Sequence, residues 1–577
     1  MAGFLNICFF ISVSFFAIFL FNTLSYVIKK NSIKKAYRSL CIGTVSSALV
    51  FFLPFYYNFF ITTEQQASVI KAILLSAHHA IRLFVVDVNY EEIQVFARNF
   101  GVIGTAYSFF GIILFLIAPI LTFSFVLSFA QDFTLIYYKY LCINKHFCIF
   151  TEFNLNTYAL ATDVRERFPR ANIIFVEVNR EYKDEISNVK YMLKDIHAHL
   201  LPSDAQQIFK IVNMPRRNTD FFVLNEDEGE CFNWLIALSS NNIKNGKRKI
   251  YVKLESENRL ISNIALPPNT EIHKVEHFYT LCMRTLENLG TRLFDTAKPN
   301  EKGEKTISAL VVGLGRYGTE MVKNLSWFTQ VEGYTTKIYA FDKDPMAGKK
   351  FEHLCPGFFF NNTCNNYCDI NINPNISTQS SDFDSEILKL KNTNYVFVAL
   401  GDDSLNITTA YELRAIFAKM DIYPIIQTVL RDSYAGELLT KSKNYRGEAY
   451  NIECVGSYAE LYSYDYITDN ENKEAVLKDF SKWSSNEAAK ELIQQEEQYK
   501  LGKANVLYKK LLQQLNVMPN EECMEGDAYQ RSFHRQWVNF KHSEGYQYGP
   551  KRNEIAKTHN LLVPYDDLSE VEKKRIV

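Results

Sequence analysis

The 577-residue sequence predicts an N-terminal α-helical transmembrane domain followed by an α/β region. That region holds two doubly wound parallel-sheet domains in tandem, and a small, mainly α domain closes the chain. Three observations predict this. Long uncharged apolar runs crowd the first 130 residues. A strand, glycine loop and helix follow one another from Ile307. A weaker copy of the same pattern starts at His146.

Residues 4–28, 40–61 and 101–130 carry no charge, and each is long enough to cross the hydrocarbon core. The second contains Pro54 and the third Pro119. The link between the first two holds Lys29, Lys30, Lys34, Lys35 and Arg38 and no acid, so the positive-inside rule places it in the cytoplasm. The N-terminus is then outside, and everything after residue 131 lies inside. The first run is too long for a secretory signal, and its basic residues follow it. Between the second and third runs, Ile70, Ile73, Leu74, Ala77, Ile81, Phe84 and Val85 share one helical face, with Lys71, His78 and Arg82 on another. This reads as an amphipathic helix on the outer surface, with a pore-lining helix as the rival. His78 and His79 are an interfacial pair on the first reading, a proton or metal site on the second. No Thr-Val-Gly-Tyr-Gly-like potassium filter occurs.

A net charge of −1 gives no global signal for nucleic acid. Eleven cysteines without a spaced framework fit a reducing compartment.

Residues 307–312 are a β-prone apolar run leading into Gly313-Leu-Gly315-Arg316-Tyr317-Gly318. A helical pattern (Met321, Val322, Leu325, Phe328) and a second strand ending at Asp342 follow. Such glycines permit a tight turn and let a pyrophosphate reach the helix N-terminus, and an acid ending the second strand suits a ribose hydroxyl. Residues 394–400 form a later strand closed by Gly401-Asp402-Asp403, with Asn406 in the next helix. Gly-Leu-Gly-Arg-Tyr-Gly, Phe-Asp-Lys-Asp-Pro and Ala-Leu-Gly-Asp-Asp-Ser-Leu-Asn together resemble the TrkA-N module, the Rossmann domain of RCK (regulator of potassium conductance) assemblies, over residues 305–465. The resemblance implies binding of NAD(H) or an adenine nucleotide, and homo-oligomers, dimeric or tetrameric, coupled to a membrane. It places Gly313, Gly315, Arg316 and Gly318 at the phosphates and Asp342 at the ribose. Gly401 and Asp402 border the same crevice.

Residues 146–290 repeat the pattern without its glycines. Thr151–Asn156 stand at the loop position, Glu177 ends the second strand, and 220–228 and 249–253 supply later strands. This half reads as structural or dimerising, with a site for another ligand as the alternative. His353, Cys355, Cys364 and Cys368 have zinc-binding residue types at unusual spacing, and buried free thiols are the simpler reading. No metal is expected.

Residues 472–516 are charged and helix-prone and read as a linker or solvated helices. Then come Trp537, Gly-Tyr546-Gln-Tyr548-Gly-Pro-Lys551-Arg552 and Leu-Val-Pro-Tyr565, and Ser569 with Glu572 forms a potential cap. This stretch resembles the RyR domain, the repeat named after ryanodine receptors and found also in bacterial proteins. The resemblance implies a sensor of a nucleotide-derived signal, with Trp537, Tyr546, Tyr548, Lys551, Arg552 and Tyr565 as ligand groups. Aromatics stack on bases, and Arg and Lys meet phosphate. For Trp537 and Tyr565 a place in the core is the competing reading.

The expected divisions are thus residues 1–130, 131–295, 305–470, 471–525 and 526–577. No nucleophile–base set or Walker loop stands out, so an enzyme is not expected. The reading is a multi-pass protein of a bacterial cell membrane with cytoplasmic C-terminal domains, gated by a nucleotide-type signal. It acts as an ion-conducting or permeabilising effector in stress or anti-phage defence. The alternatives are a tethered regulator of a potassium transport system and a membrane-anchored NAD(P)-dependent oxidoreductase.

Overall fold

The computed structural model describes residues 1–28, 33–63, 68–85, 87–136, 146–201, 208, 218–240, 247–254, 269–299, 303–359, 367–517 and 527–573. It divides into two compact units, Met1–Cys142 and Ile143–Val577, each described here by itself.

The first unit contains helices α1 (Ala2–Ile28), α2 (Ile33–Thr63), α3 (Val69–Arg82), α4 (Tyr90–Arg98) and α5 (Gly101–Ile136). Ala2–Ser25, Ser39–Thr63 and Gly101–Thr122 are long and apolar enough to cross a membrane. Polar bonds join them where apolar packing alone gives little discrimination. Ser12 Oγ donates to the Ser47 carbonyl at 2.7 Å, and Ser47 Oγ donates back to the Ser12 carbonyl at 2.8 Å. Gly43 permits the close approach of α1, since a Cβ there would lie 2.4 Å from that of Phe19. Tyr107 stacks on Phe51 at 4.2 Å and donates to the Phe51 carbonyl.

Helix α3 packs on the protein through its small residues. Its bulky residues Ile70, Ile73, Leu74 and Ile81 are exposed, and so are Lys71 and His78. The buried stripe is the small residues Ala72, Ser76 and Ala80. Small side chains let helix backbones approach, so this face packs inward. His79, not His78, turns in, onto Tyr56 at 4.8 Å. His79, Arg82, Asp87, Asn89 and Glu92 line a cavity of about 250 Å³.

The second unit holds two large, mainly parallel sheets and a two-stranded one that pairs Gln547–Tyr548 with Thr558–His559. The first comprises β1 (His146–Phe153), β2 (Asn172–Val178), β3 (His199–Leu200), β4 (Asn218–Val223), β5 (Arg248–Lys253) and β6 (Thr270–Val275), in the order β3-β2-β1-β4-β5-β6. The second comprises β7 (Lys298–Pro299), β8 (Lys305–Val312), β9 (Tyr334–Phe341), β10 (Cys368–Asn373), β11 (Tyr395–Val398), β12 (Ile425–Val429) and β13 (Ile452–Val455). Its order is β10-β9-β8-β11-β12-β13, with β7 antiparallel on β8. Each sheet therefore starts in the middle, runs to one edge, returns and runs to the other. Such sheets are Rossmann-like, and the chain reversal leaves a crevice at the carboxyl ends of the two central strands.

Central parallel strands are buried on both faces and so read as unbroken apolar runs. Ile307 to Val312 are all buried. In the first sheet the rings of Phe175, Phe150, Phe222 and Tyr251 stack across four adjacent strands at 4.8, 4.7 and 5.3 Å. These steps match the inter-strand spacing, so the ladder follows from placing aromatics in register on one face.

The helix His277–Leu289 leads from the first sheet to the second and packs on the helix Arg316–Phe328, which follows β8. The helix Glu496–Gln514 lies in the stretch expected to be a solvated linker. It instead buries Gly502, Ala504, Leu507, Tyr508, Leu511 and Leu512. A Cβ on Gly502 would lie 2.5 Å from Val476, so this turn is in close contact with the helix Asn470–Phe480. The helix Asp527–Ser543 closes over Arg316–Phe328, with Trp327 edge-on to Phe540 at 6.3 Å. Ser532 Oγ accepts from Glu332 N at 2.9 Å, and Tyr508 donates to the carbonyls of Gln330 and Ser532.

Charges are buried at this junction. Lys323 meets Glu320 at 3.0 Å and Glu544 at 3.4 Å. Lys500 meets Glu276 at 3.2 Å, and Lys274 meets both Glu276 and Glu496 at 2.8 Å. Burial alone would push the Glu276 carboxyl up, but Lys500 and Lys274 hold it below the usual carboxylate range. Removing one partner of such a set leaves the others buried without a counter-charge. Lys323→Ala is therefore expected to lower stability by about 3–5 kcal/mol. Urea unfolding of the full chain followed by tryptophan fluorescence reads this, and a shift under about 0.5 kcal/mol is the outcome a surface pair would give.

Two histidines add a pH dependence. Burial, with Lys253 adding to it, lowers His277 to about 3. Burial lowers His273 to about 4 against the opposing Glu271. The unfolded chain binds these protons below about pH 6.5, whereas the folded chain does not until pH 3–4. Stability is thus expected to fall as pH drops through this window, by about 1.4 kcal/mol per pH unit for each histidine once well below pH 6.5. His277→Phe should remove one of these two contributions, measured as the change of urea midpoint between pH 6 and pH 5.

Candidate functional site

The crevice of the second sheet is built by the turn after β8. Gly313 sits at φ +90°, and a Cβ there would lie 2.4 Å from the Ala399 carbonyl oxygen. Gly318 is closer still, its Cβ position 1.7 Å from the Gly313 carbonyl oxygen. Both glycines are fixed by backbone contact. Gly315 differs, because its Cβ would meet nothing within 4 Å. It is exposed and caps the helix Arg316–Phe328 without a side-chain hydrogen bond. This leaves open space over a helix N-terminus, the arrangement that favours an anion.

Asp342 follows β9 directly. Its Oδ2 accepts from Leu314 N at 2.5 Å and its Oδ1 from Asp344 N at 2.7 Å. The carboxylate is thereby held against the glycine turn. Arg316 lies over the Phe278 ring at 5.4 Å, and Phe278 stands edge-on to Tyr317 at 4.6 Å. Across the crevice, Gly401 takes φ +84° with open space at its Cβ. Asp402 caps the helix Asp403–Lys419 by accepting from Leu405 N at 2.8 Å. The structure thus brings Gly313, Gly315, Arg316, Gly318 and Asp342 to one turn, and Gly401 and Asp402 to the end of the neighbouring β11.

Two supporting residues fell outside the predicted site. Asn406 is 1% exposed; its Oδ1 accepts from Leu400 N and its Nδ2 donates to the Val429 carbonyl, both at 2.7 Å. It ties the ends of β11 and β12 together under the crevice floor. Asp403 Oδ2 accepts from the backbone N–H groups of Arg431 and Asp432 at 3.0 and 3.2 Å. Both lie in the Ala-Leu-Gly-Asp-Asp-Ser-Leu-Asn stretch, which the sequence reading quoted without giving either residue a role.

The first sheet's equivalent turn is closed by its own side chains. Asn154 Oδ1 accepts from Thr157 N, and Thr157 Oγ1 accepts from Asn154 N, both at 2.9 Å, which completes a capping box. Glu152 Oε1 accepts from Asn154 Nδ2 and Asn179 Nδ2 at 3.1 Å and from Glu226 N at 3.3 Å. An anion there would meet a carboxylate and a helix end already capped.

In the C-terminal region, Tyr546 and Tyr565 are core residues, 1% and 7% exposed. Tyr546 donates to Glu554, and Tyr565 donates to Gln530 at 2.6 Å. Trp537 is half-buried between His534 at 5.9 Å and His559 at 5.1 Å. Tyr548, Lys551 and Arg552 are exposed, with Arg552 bonded to Glu554 at 2.5 Å. The expected ligand groups are therefore split between a buried aromatic cluster and an exposed basic turn. The Ser569–Glu572 cap forms: Ser569 N donates to Glu572 Oε2 at 2.9 Å. Of the cysteine set, Cys355 and Cys368 are buried, Cys355 donating to the Ser543 carbonyl at 3.3 Å, and His353 is exposed. Cys364 lies outside the described residues.

Residues 514–576 match the sequence profile of the RyR domain. The chain therefore carries an RyR domain behind its α/β sheets, packed through Asp527–Ser543 onto the helix that bears the glycine turn. No curated protein matches the chain.

Gly318→Ala forces a backbone shift and is expected to cost about 2–4 kcal/mol, whereas Gly315→Ala, in open space, should change stability by less than about 0.5 kcal/mol. Parallel thermal melts of the two variants check the contrast.

Proposed function

We propose that this protein is a membrane effector gated by a nucleotide or nucleotide-derived signal. The single observation that carries the reading is the unfilled glycine turn at Gly315, joined by one helix to the RyR domain. In this reading both sheets are tandem Rossmann halves of TrkA-N/RCK type, supported by their shared strand order, the glycine turn and the placement of Asp342. The second half takes the pyrophosphate of NAD(H) or an adenine nucleotide at Gly313–Gly318, with Asp342 at the ribose. The first half is structural, in keeping with its capped, carboxylate-filled turn. The mainly α RyR domain senses the signal through Trp537 and the Tyr548–Arg552 turn. The three apolar helices span a cell membrane, with the basic 29–38 link and the sheets on the cytoplasmic side. Three helices enclose little space, so conduction requires a homo-oligomer.

Ligand preference for one of two assembly states supplies the gating energy. The test uses the purified full chain. Native mass spectrometry should find a bound nucleotide in the wild type and none in Gly315→Asp, whose carboxylate occupies the open space. Proteoliposomes should leak ions only on addition of that nucleotide. A wild type that binds no nucleotide under any supply, or a variant that binds it equally, overturns the reading.

A further inference from the structure

A second cluster lies at the other end of the first sheet. His146 opens β1, Cys148 is two residues on, and Asp220 lies on β4 directly opposite Cys148 in the register. Alternation puts His146 and Cys148 on one face of the strand, and parallel pairing brings Asp220 beside them. His146 Nε2 is 2.9 Å from Asp220 Oδ2 and 3.8 Å from Cys148 Sγ, and all three donor atoms lie within 4.8 Å of one another. These are the amino-terminal ends of the strands, away from both glycine-turn positions.

The surroundings set this thiol apart. Cys231, Cys282 and Cys355 are buried thiols that donate to backbone carbonyls at 3.3–3.6 Å. Cys148, fully buried, faces an imidazole nitrogen instead. On the same sheet face, one side-chain step further along β5, the Tyr251 hydroxyl is buried without a hydrogen-bond partner. It lies close enough to Asp220 and Cys148 to feel their charge. Phe168 stands edge-on to His146 at 5.2 Å and to Tyr464 at 5.3 Å, fixing the ring plane.

We propose that His146, Cys148 and Asp220 bind a zinc-class divalent cation that ties β1 to β4. One nitrogen, one sulfur and one oxygen donor is a borderline-soft set suited to zinc. Zinc bonds of about 2.3 Å to sulfur and about 2.0–2.1 Å to nitrogen and oxygen separate tetrahedral ligands by about 3.3–3.6 Å. The observed 2.9 and 3.8 Å flank that range, and the remaining Cys148–Asp220 pair, within 4.8 Å, closes on binding. His146, 30% exposed, leaves a path for the ion and for a water in the fourth position.

The full chain, purified in detergent, is loaded with zinc and exchanged into metal-free buffer. About one zinc per chain is expected to remain by elemental mass spectrometry, with X-ray absorption showing one sulfur and otherwise nitrogen or oxygen ligands. Cys148→Ser and His146→Ala should lose the metal while keeping the circular dichroism of the wild type, and Cys355→Ser should keep it. The absorption spectrum needs only the wild type, so a variant that fails to fold does not block the test. Absence of retained zinc, more than one sulfur ligand, or zinc undiminished in folded Cys148→Ser would each overturn the proposal.

Discussion

Lys323 is the point on which the second unit turns. It projects from the helix that starts at the glycine turn, and it is held between Glu320 of that helix and Glu544 at the end of the helix Asp527–Ser543. A buried ammonium opposes folding unless acids surround it. Here they do so only when the RyR domain is seated. Burial would lower the Lys323 pKa, but Glu320 and Glu544 outweigh it and raise it. Glu544 also feels Lys500, and Lys500 reaches Glu276 at the end of the first sheet. Misplacing any one of these groups leaves an uncompensated charge elsewhere, which penalises other arrangements.

The two sheets show how one strand order serves different ends. In the second, three glycines keep the turn after the first strand low and leave the helix N-terminus open. In the first, Asn154, Thr157 and Glu152 fill the same position with internal hydrogen bonds. The aromatic ladder through Phe150 and Tyr251 stiffens the first sheet across its strands.

Much of this was legible in the sequence because it is local. Three uncharged runs, the strand-glycine-helix-strand-acid order and the Gly-Tyr-x-Tyr-Gly-Pro turn each lie within a short window. The helix after Gly318 was read from Met321, Val322, Leu325 and Phe328, which is the sheet-facing stripe. Its other side, Lys323, Asn324 and Trp327, is buried as well, because the RyR helix covers it. Nothing within that window says that a segment some 200 residues later completes the surface. The same blindness made residues 472–516 look solvated: Lys503 is buried, but its partner Asp469 lies 34 residues earlier. His78 and His79 show the limit at its smallest, since adjacent residues on a helix point about 100° apart and only packing decides which turns inward.

The capping box at Asn154 sets what an open turn in the first sheet would require. Replacing Asn154 by glycine would forfeit its side-chain cap at a cost of about a few tenths of a kcal/mol, before any phosphate contact existed to compensate. Glu152 would have to change as well, since its carboxylate repels the incoming anion. Opening this turn to an anion therefore takes coordinated change at Asn154, Thr157 and Glu152, since their side chains bond one another across it.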